Sequence, residues 1–110
     1  MTYTETDILE MLKALSNPTR LQIMQWLSDP ETELAGLSES GTPSRPGWGG
    51  ACVSTIQRKA GISQSVMSGY LRSMQQAGLL EAQRHEKWTY YRINGEAVRA
   101  LSAFIAAWDV

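Results

Sequence analysis

The first apolar positions, Ile8, Met11, Leu12 and Leu15, recur at steps of three and four, the spacing that lines one side of a helix, and predict a helix over residues 6–16. The phrase "SNP" ends it. Asn17 is a good N-cap, and Pro18 fits the first helical position, where its missing N–H costs nothing, so a second helix starts there with Leu21, Ile23, Met24 and Leu27 on its buried side. "SDP" stops this one. Residues 31–50, "ETELAGLSESGTPSRPGWGG", then lose periodicity amid five glycines and two prolines and predict a long loop. Such a loop is either a mobile surface insertion or a segment that packs through Leu34, Leu37 and Trp48, and the pattern does not choose between them.

Beyond the loop the pattern tightens again. Ser54 is read as the cap of a short helix, "TIQRKA", with Ile56 and Ala60 inward, and Gly61 supplies the left-handed backbone that a sharp interhelical turn often requires. Ser63 caps the next helix, residues 64–77, which Gly78 closes. "LLEAQR" and "WTYYRI", separated by "HEK", read as a β-hairpin. A last helix, from 96 to about 108, carries Val98, Leu101, Ile105 and Trp108 in a narrow seam suited to another helix. Trp88, Tyr90 and Tyr91 are expected to pack the hairpin against the helices, and Trp26 and Trp108 to be core as well. The order α-α-(loop)-α-α-β-β-α predicts a mainly α fold with a small β-hairpin, a winged helix-turn-helix forming one domain over residues 1–110.

Within the helix after Gly61, Met67, Tyr70, Leu71 and Met74 cluster on one side, while Gln64, Ser65, Ser68, Gly69 and Arg72 fall within an arc of about 140° on the other. A helix enters the DNA major groove when its outer side chains are short enough for close approach yet still offer hydrogen bonds to base edges. Gln64 can pair with adenine, and Ser65 and Ser68 can donate or accept. Gly69 sacrifices helix propensity at a position where a passive surface would carry Glu, Lys or Ala. Arg72 is placed to meet phosphate, and Arg84 and Lys87 at the hairpin ends fit a wing laid beside the minor groove or backbone. His85 shares that tip, either solvated or touching DNA.

Charge sharpens the picture. The net charge of −1 hides an asymmetry: residues 1–52 are acidic on balance, whereas 53–94 carry Arg58, Lys59, Arg72, Arg84, Lys87 and Arg92 against only Glu81 and Glu86. No apolar run approaches the roughly 20 residues that span a bilayer, and the acidic start "MTYTETDILEML" is unlike a secretory signal, so the expected location is cytoplasmic, with no membrane partner. The single cysteine, Cys52, excludes an internal disulfide, and with His85 as the sole histidine no metal site and no cofactor are expected. No pairing of nucleophile and base, acidic dyad or phosphate loop is visible, so the chain is not read as an enzyme.

The phrases "ALSNPTRLQIMQWL", "CVSTIQRKAGISQSVMSGYLRSMQQAGLL" and "RHEKWTYYRIN" together resemble the ArsR/SmtB family of bacterial winged-helix repressors over most of the chain apart from residues 31–50. The resemblance implies a homodimer joined through its first and last helices, bound to a palindromic double-stranded operator and released by an unidentified small-molecule effector. It also implies that Gln64, Ser65, Ser68, Gly69 and Arg72 lie on the recognition helix. Where metal-sensing members carry "CVC" this chain reads "CVS", and no histidine follows His85, so their metal ligands do not carry over. Cys52, at the start of the helix-turn-helix, remains a candidate redox or effector residue. The expected function is a sequence-specific DNA-binding transcriptional regulator, a dimeric repressor; the alternative is a winged-helix module whose basic face binds an acidic protein.

Overall fold

The structure, a computed structural model, describes residues 2–39 and 44–109. Six helices and three strands follow in the order α1 (Glu5–Leu15), α2 (Pro18–Ser28), α3 (Pro30–Glu33), β1 (Ala51–Cys52), α4 (Val53–Ala60), α5 (Gln64–Gln76), β2 (Leu80–His85), β3 (Trp88–Ile93) and α6 (Gly95–Ala106). This is the mainly helical winged helix-turn-helix that the pattern predicts, with one further short helix and one further strand.

Local chemistry sets most boundaries. α1 begins one residue earlier than its apolar stripe suggests, because Thr4 and Asp7 form a reciprocal capping box, the Thr4 hydroxyl accepting from the Asp7 N–H at 3.1 Å and the Asp7 carboxylate from the Thr4 N–H at 2.8 Å. Asn17 caps α2 by accepting from the Arg20 N–H, and Ser63 caps α5 by accepting from the Val66 N–H, both as expected. Gly61 ends α4 at φ +68°, so the sharp turn into α5 avoids the steric penalty a Cβ would bring.

α4 corrects one expectation. Its cap is Cys52, not Ser54, and the helix starts at Val53. The cause is the strand before it: Ala51 and Cys52 pair with Tyr91 and Tyr90 of β3, which holds the chain extended up to Cys52 and leaves the helix to begin immediately after. Ser54, already inside the helix, donates its hydroxyl to the Cys52 sulfur at 3.5 Å.

The sheet order is β1-β3-β2, antiparallel throughout. Met11, Ile23, Leu34, Ile56, Met67, Leu71, Met74 and Leu79 are fully buried and belong to one apolar cluster joined by residues from every helix except α3 and from the inner sheet face. Of the loop predicted at 31–50, its start is the single turn of α3, and Leu34, Leu37 and Trp48 pack as the second alternative required. Residues 40–43 of that prediction lie outside the described residues. Gly50 reaches the sheet at φ +70°, where an added Cβ would stand 2.3 Å from the Tyr91 carbonyl oxygen, so a side chain there would displace β3.

The aromatic expectations divide. Trp26 and Tyr91 are core. Trp88 and Tyr90 are half-buried on the opposite face of β3 from Tyr91, because neighbouring residues of a strand point to opposite sides. Trp108 is not core: it is 61% exposed beyond the end of α6, touching the edge of Phe104.

Candidate nucleic-acid interface

α5 presents the two faces its sequence predicts. Met67, Leu71 and Met74 are buried against the core, and Tyr70 is half-buried with the Arg20 guanidinium 5.4 Å from its ring centre. Gln64, Ser65, Gly69 and Arg72 are exposed and Ser68 is half-exposed. Nothing lies within 4 Å of where a Gly69 side chain would begin, so the helix surface there is bare for want of a side chain and not because a neighbour crowds it.

The hairpin folds back toward this face. Gln64 and Ser68 of α5 line one groove together with Arg84 and Lys87 of the hairpin, with the start of α4 as its floor, and the groove encloses about 280 Å³. Ser65, Gly69 and Arg72 stand outside it, further round the helix. Arg72 lies close enough to the sheet to act on Tyr91: burial raises the Tyr91 phenol above its ordinary value of 10.0, and the Arg72 charge pulls weakly the other way. At the hairpin tip Glu86 adopts φ +56°, the left-handed turn that no glycine supplies, and Lys87 rests its ammonium 5.1 Å from the Trp88 ring centre. His85 accepts at Nδ1 from Arg45 Nη2 at 3.1 Å, since a guanidinium can only donate.

Not all of the basic charge between 53 and 94 serves this surface. Arg58 pairs with Glu39 and Arg92 with Glu81, while Arg72 and Arg84 enter no ion pair among the described residues. Cys52 is buried, at the groove's edge. No group of three His, Cys, Asp or Glu side chains placed to hold a metal occurs among the described residues.

No protein-family model matches the sequence. The chain is 40% identical over 100 residues to an uncharacterized HTH-type transcriptional regulator, YbzH, of Bacillus subtilis, a match covering 88% of this chain and 93% of that one. The crystal structure of an ArsR family transcriptional regulator superposes with a TM-score of 0.71, at 17% identity, over 97% of this chain and 91% of the other. The solution structure of a homodimeric winged helix-turn-helix DNA-binding domain from Mycobacterium bovis, a possible ArsR-family regulator, superposes with a TM-score of 0.65, at 25% identity, over 94% and 80%. The chain belongs to the ArsR family of helix-turn-helix transcriptional regulators.

An ArsR-family chain is a regulator and not an enzyme, in agreement with the reading of its residues. No helix of the described residues is long and apolar enough to cross a membrane. In this setting α4 and α5 are the helix-turn-helix and β2–β3 the wing. One exposed residue of the recognition helix escaped the sequence reading: Val66 is 45% exposed in the first turn of α5, the one large apolar side chain that this helix exposes. A lone valine beside a core stripe carries no polar signal, so only its exposure in the fold reveals it.

Proposed function

We propose that residues 1–110 act in the cytoplasm as one domain that dimerises and represses transcription by binding a palindromic double-stranded operator. The observation that carries this reading is the shared groove: Gln64 and Ser68, groups able to read base edges, face the same space as Arg84 and Lys87, cations able to hold phosphate. Ser65 and Gly69 extend the reading surface along α5, and Arg72 supplies a further phosphate contact. Val66 adds an apolar contact suited to a thymine methyl.

Dimerisation is supported by the outward stripes of α1 and α6, which pack side by side and leave Leu9, Leu12, Ile105 and Trp108 exposed on one protomer. A copy related by a two-fold axis would cover them and set two recognition helices about 34 Å apart, one turn of DNA. Release follows an effector or a redox change, with Cys52 beside the groove as the residue best placed to transmit it. Selection from a random duplex pool tests the whole reading. It should return an inverted repeat with half-sites one helical turn apart, whereas retention of all duplexes alike, or capture of an acidic protein in their place, would refute it.

A further inference from the structure

Across α5 from the wing is a second groove, with cations of its own. It encloses about 280 Å³ and is lined by Glu10 and Lys13 of α1, Arg20 of α2, and Ser73, Gln76 and Ala77 at the end of α5. Helical spacing places it. Ser73 and Ala77 follow Gln64 and Ser68 by nine residues each, about 180° round a helix that turns about 100° per residue. The wing groove and this one therefore bound the exposed strip of Ser65, Gly69 and Arg72 from opposite flanks.

Arg20 is half-buried and fixed at two points. Its Nε donates to the Ala14 carbonyl at 2.5 Å, and its guanidinium lies 5.4 Å from the Tyr70 ring centre. It enters no ion pair among the described residues, and its two terminal nitrogens make no hydrogen bond there, so its charge and the open end of its fork remain available. Lys13 adds a second cation. Its ammonium meets Glu10 at 3.4 Å, but the two side chains are 63% and 54% exposed, and a pair so open to water and salt is weak and gives way to a stronger anion. Ser73 and Gln76, both exposed, contribute a hydroxyl and an amide N–H. Two cations against one carboxylate leave the groove positive, and its donors suit a tetrahedral oxyanion.

A major groove is about 12 Å wide and a helix with its side chains about 10–12 Å across, so a helix lodged there meets one sugar–phosphate strand on each flank. Arg84 and Lys87 are placed for one strand. We infer that Arg20, with Lys13, Ser73 and Gln76, holds a phosphate of the other strand, so that α5 is clamped from both sides. This rests on the function proposed above, with α5 as the helix that enters the groove. Because the Ala14 carbonyl and the Tyr70 ring already orient the guanidinium, it binds without the ordering cost that a free surface arginine incurs. Phosphates held on both flanks also set the depth and tilt at which Gln64 and Ser68 address base edges.

The test scans the selected operator with single methylphosphonate substitutions, each of which removes one phosphate charge, against the intact wild-type protein, Arg20→Gln, Lys13→Ala and Arg84→Ala. Wild-type protein should lose roughly tenfold in affinity at phosphates that form two clusters per half-site, one on each strand across a major groove. In Arg20→Gln the cluster opposite the wing should disappear from the scan while the wing cluster persists, and in Arg84→Ala the reverse. Lys13→Ala, at an exposed position that leaves folding intact, should weaken the same cluster as Arg20→Gln and reduce the slope of log K against log salt by about 0.9. A purely structural Arg20 would lower affinity and leave the pattern unchanged. That pattern in folded Arg20→Gln overturns the inference, and if this variant does not fold, an unchanged pattern in Lys13→Ala does so. A wild-type scan with the wing cluster alone also overturns it and leaves the proposed function standing, whereas failure to bind any duplex removes both.

Discussion

The outer faces of α5 and α6 are both uncovered on a single protomer, yet one is made of Gln64, Ser65, Ser68 and Gly69 and the other of Ile105 and Trp108, with Leu101 and Phe104 half-buried beside them against the core. Each is costly by itself in a different way. The α6 face leaves apolar area in water that would contribute about 25 cal/mol per Å² if covered, so it calls for an apolar partner of matching shape. The α5 face has little apolar area to bury and accepts a glycine in mid-helix; what it offers is hydrogen bonding at short range, which only a partner rich in donors and acceptors rewards. A second copy suits the first face and the edge of a base pair suits the second. The wing adds a pair of cations, Arg84 and Lys87, beside Gln64 and Ser68.

Breaking the apolar face should have the largest effect. Ile105→Glu puts a charge into the seam without disturbing the protomer core, since Ile105 is already 43% exposed. Dimer affinity should fall by about 2–4 kcal/mol, the range for a central interface residue, and operator binding should fall with it. Sedimentation as a function of concentration reads the first and mobility shift the second. A stable dimer in this variant would move the interface elsewhere.

On the polar face, Gln64→Ala should cost about 1–3 kcal/mol at the base pair it reads and little on random DNA, so its mark is relaxed preference in a repeated selection. Equal losses on operator and random duplex would remove Gln64 from base reading. Arg72→Ala should instead weaken both duplexes alike and reduce the slope of log K against log salt by about 0.9. An unchanged slope would confine Arg72 to its electrostatic contact with Tyr91.

The contrast between the two faces was largely legible in the sequence, because it depends on helical spacing and on caps whose chemistry is local: Asn17 before Pro18, Ser63 before Gln64, the turn at Gly61. What escaped depends on partners far along the chain. β1 is two residues long and has no period to show; its pairing with Tyr90 and Tyr91 is what moves the start of α4 to Val53. Strand alternation separates Tyr91 from Trp88 and Tyr90 by sidedness, yet which side is core depends on the helices beneath. Counting cations overstates the free positive charge, since Arg58 and Arg92 are engaged by Glu39, Glu81 and the carbonyls of Leu37 and Trp48. Arg45 illustrates the limit most clearly: it meets His85 forty residues later, a contact no local pattern encodes.

Val66 tests whether the reading face has an apolar component. Replacing it with Ala removes two methyl groups from an exposed position, so stability should scarcely change. If Val66 touches a thymine methyl, the wild-type protein should prefer thymine over uracil at one operator position by about 0.8 kcal/mol, and Val66→Ala should lose that preference. Uracil scanning of the selected operator measures it, and an identical scan for both proteins would rule the contact out.

The smallest expected effect discriminates most sharply between a functional face and an idle one. Gly69 lies inside α5 with open space where a Cβ would stand, so Gly69→Ala should stabilise the protein by up to about 1 kcal/mol through helix propensity alone. On an idle surface that is the whole consequence, and DNA affinity would stay level or rise with stability. On a face that must approach the floor of a groove, the added methyl holds the backbone away from the base edges, and operator affinity should fall while the melting temperature rises. The two readouts therefore move in opposite directions only if the bare helix surface is there for contact. A variant that gains in both would show that Gly69 costs stability without serving DNA binding.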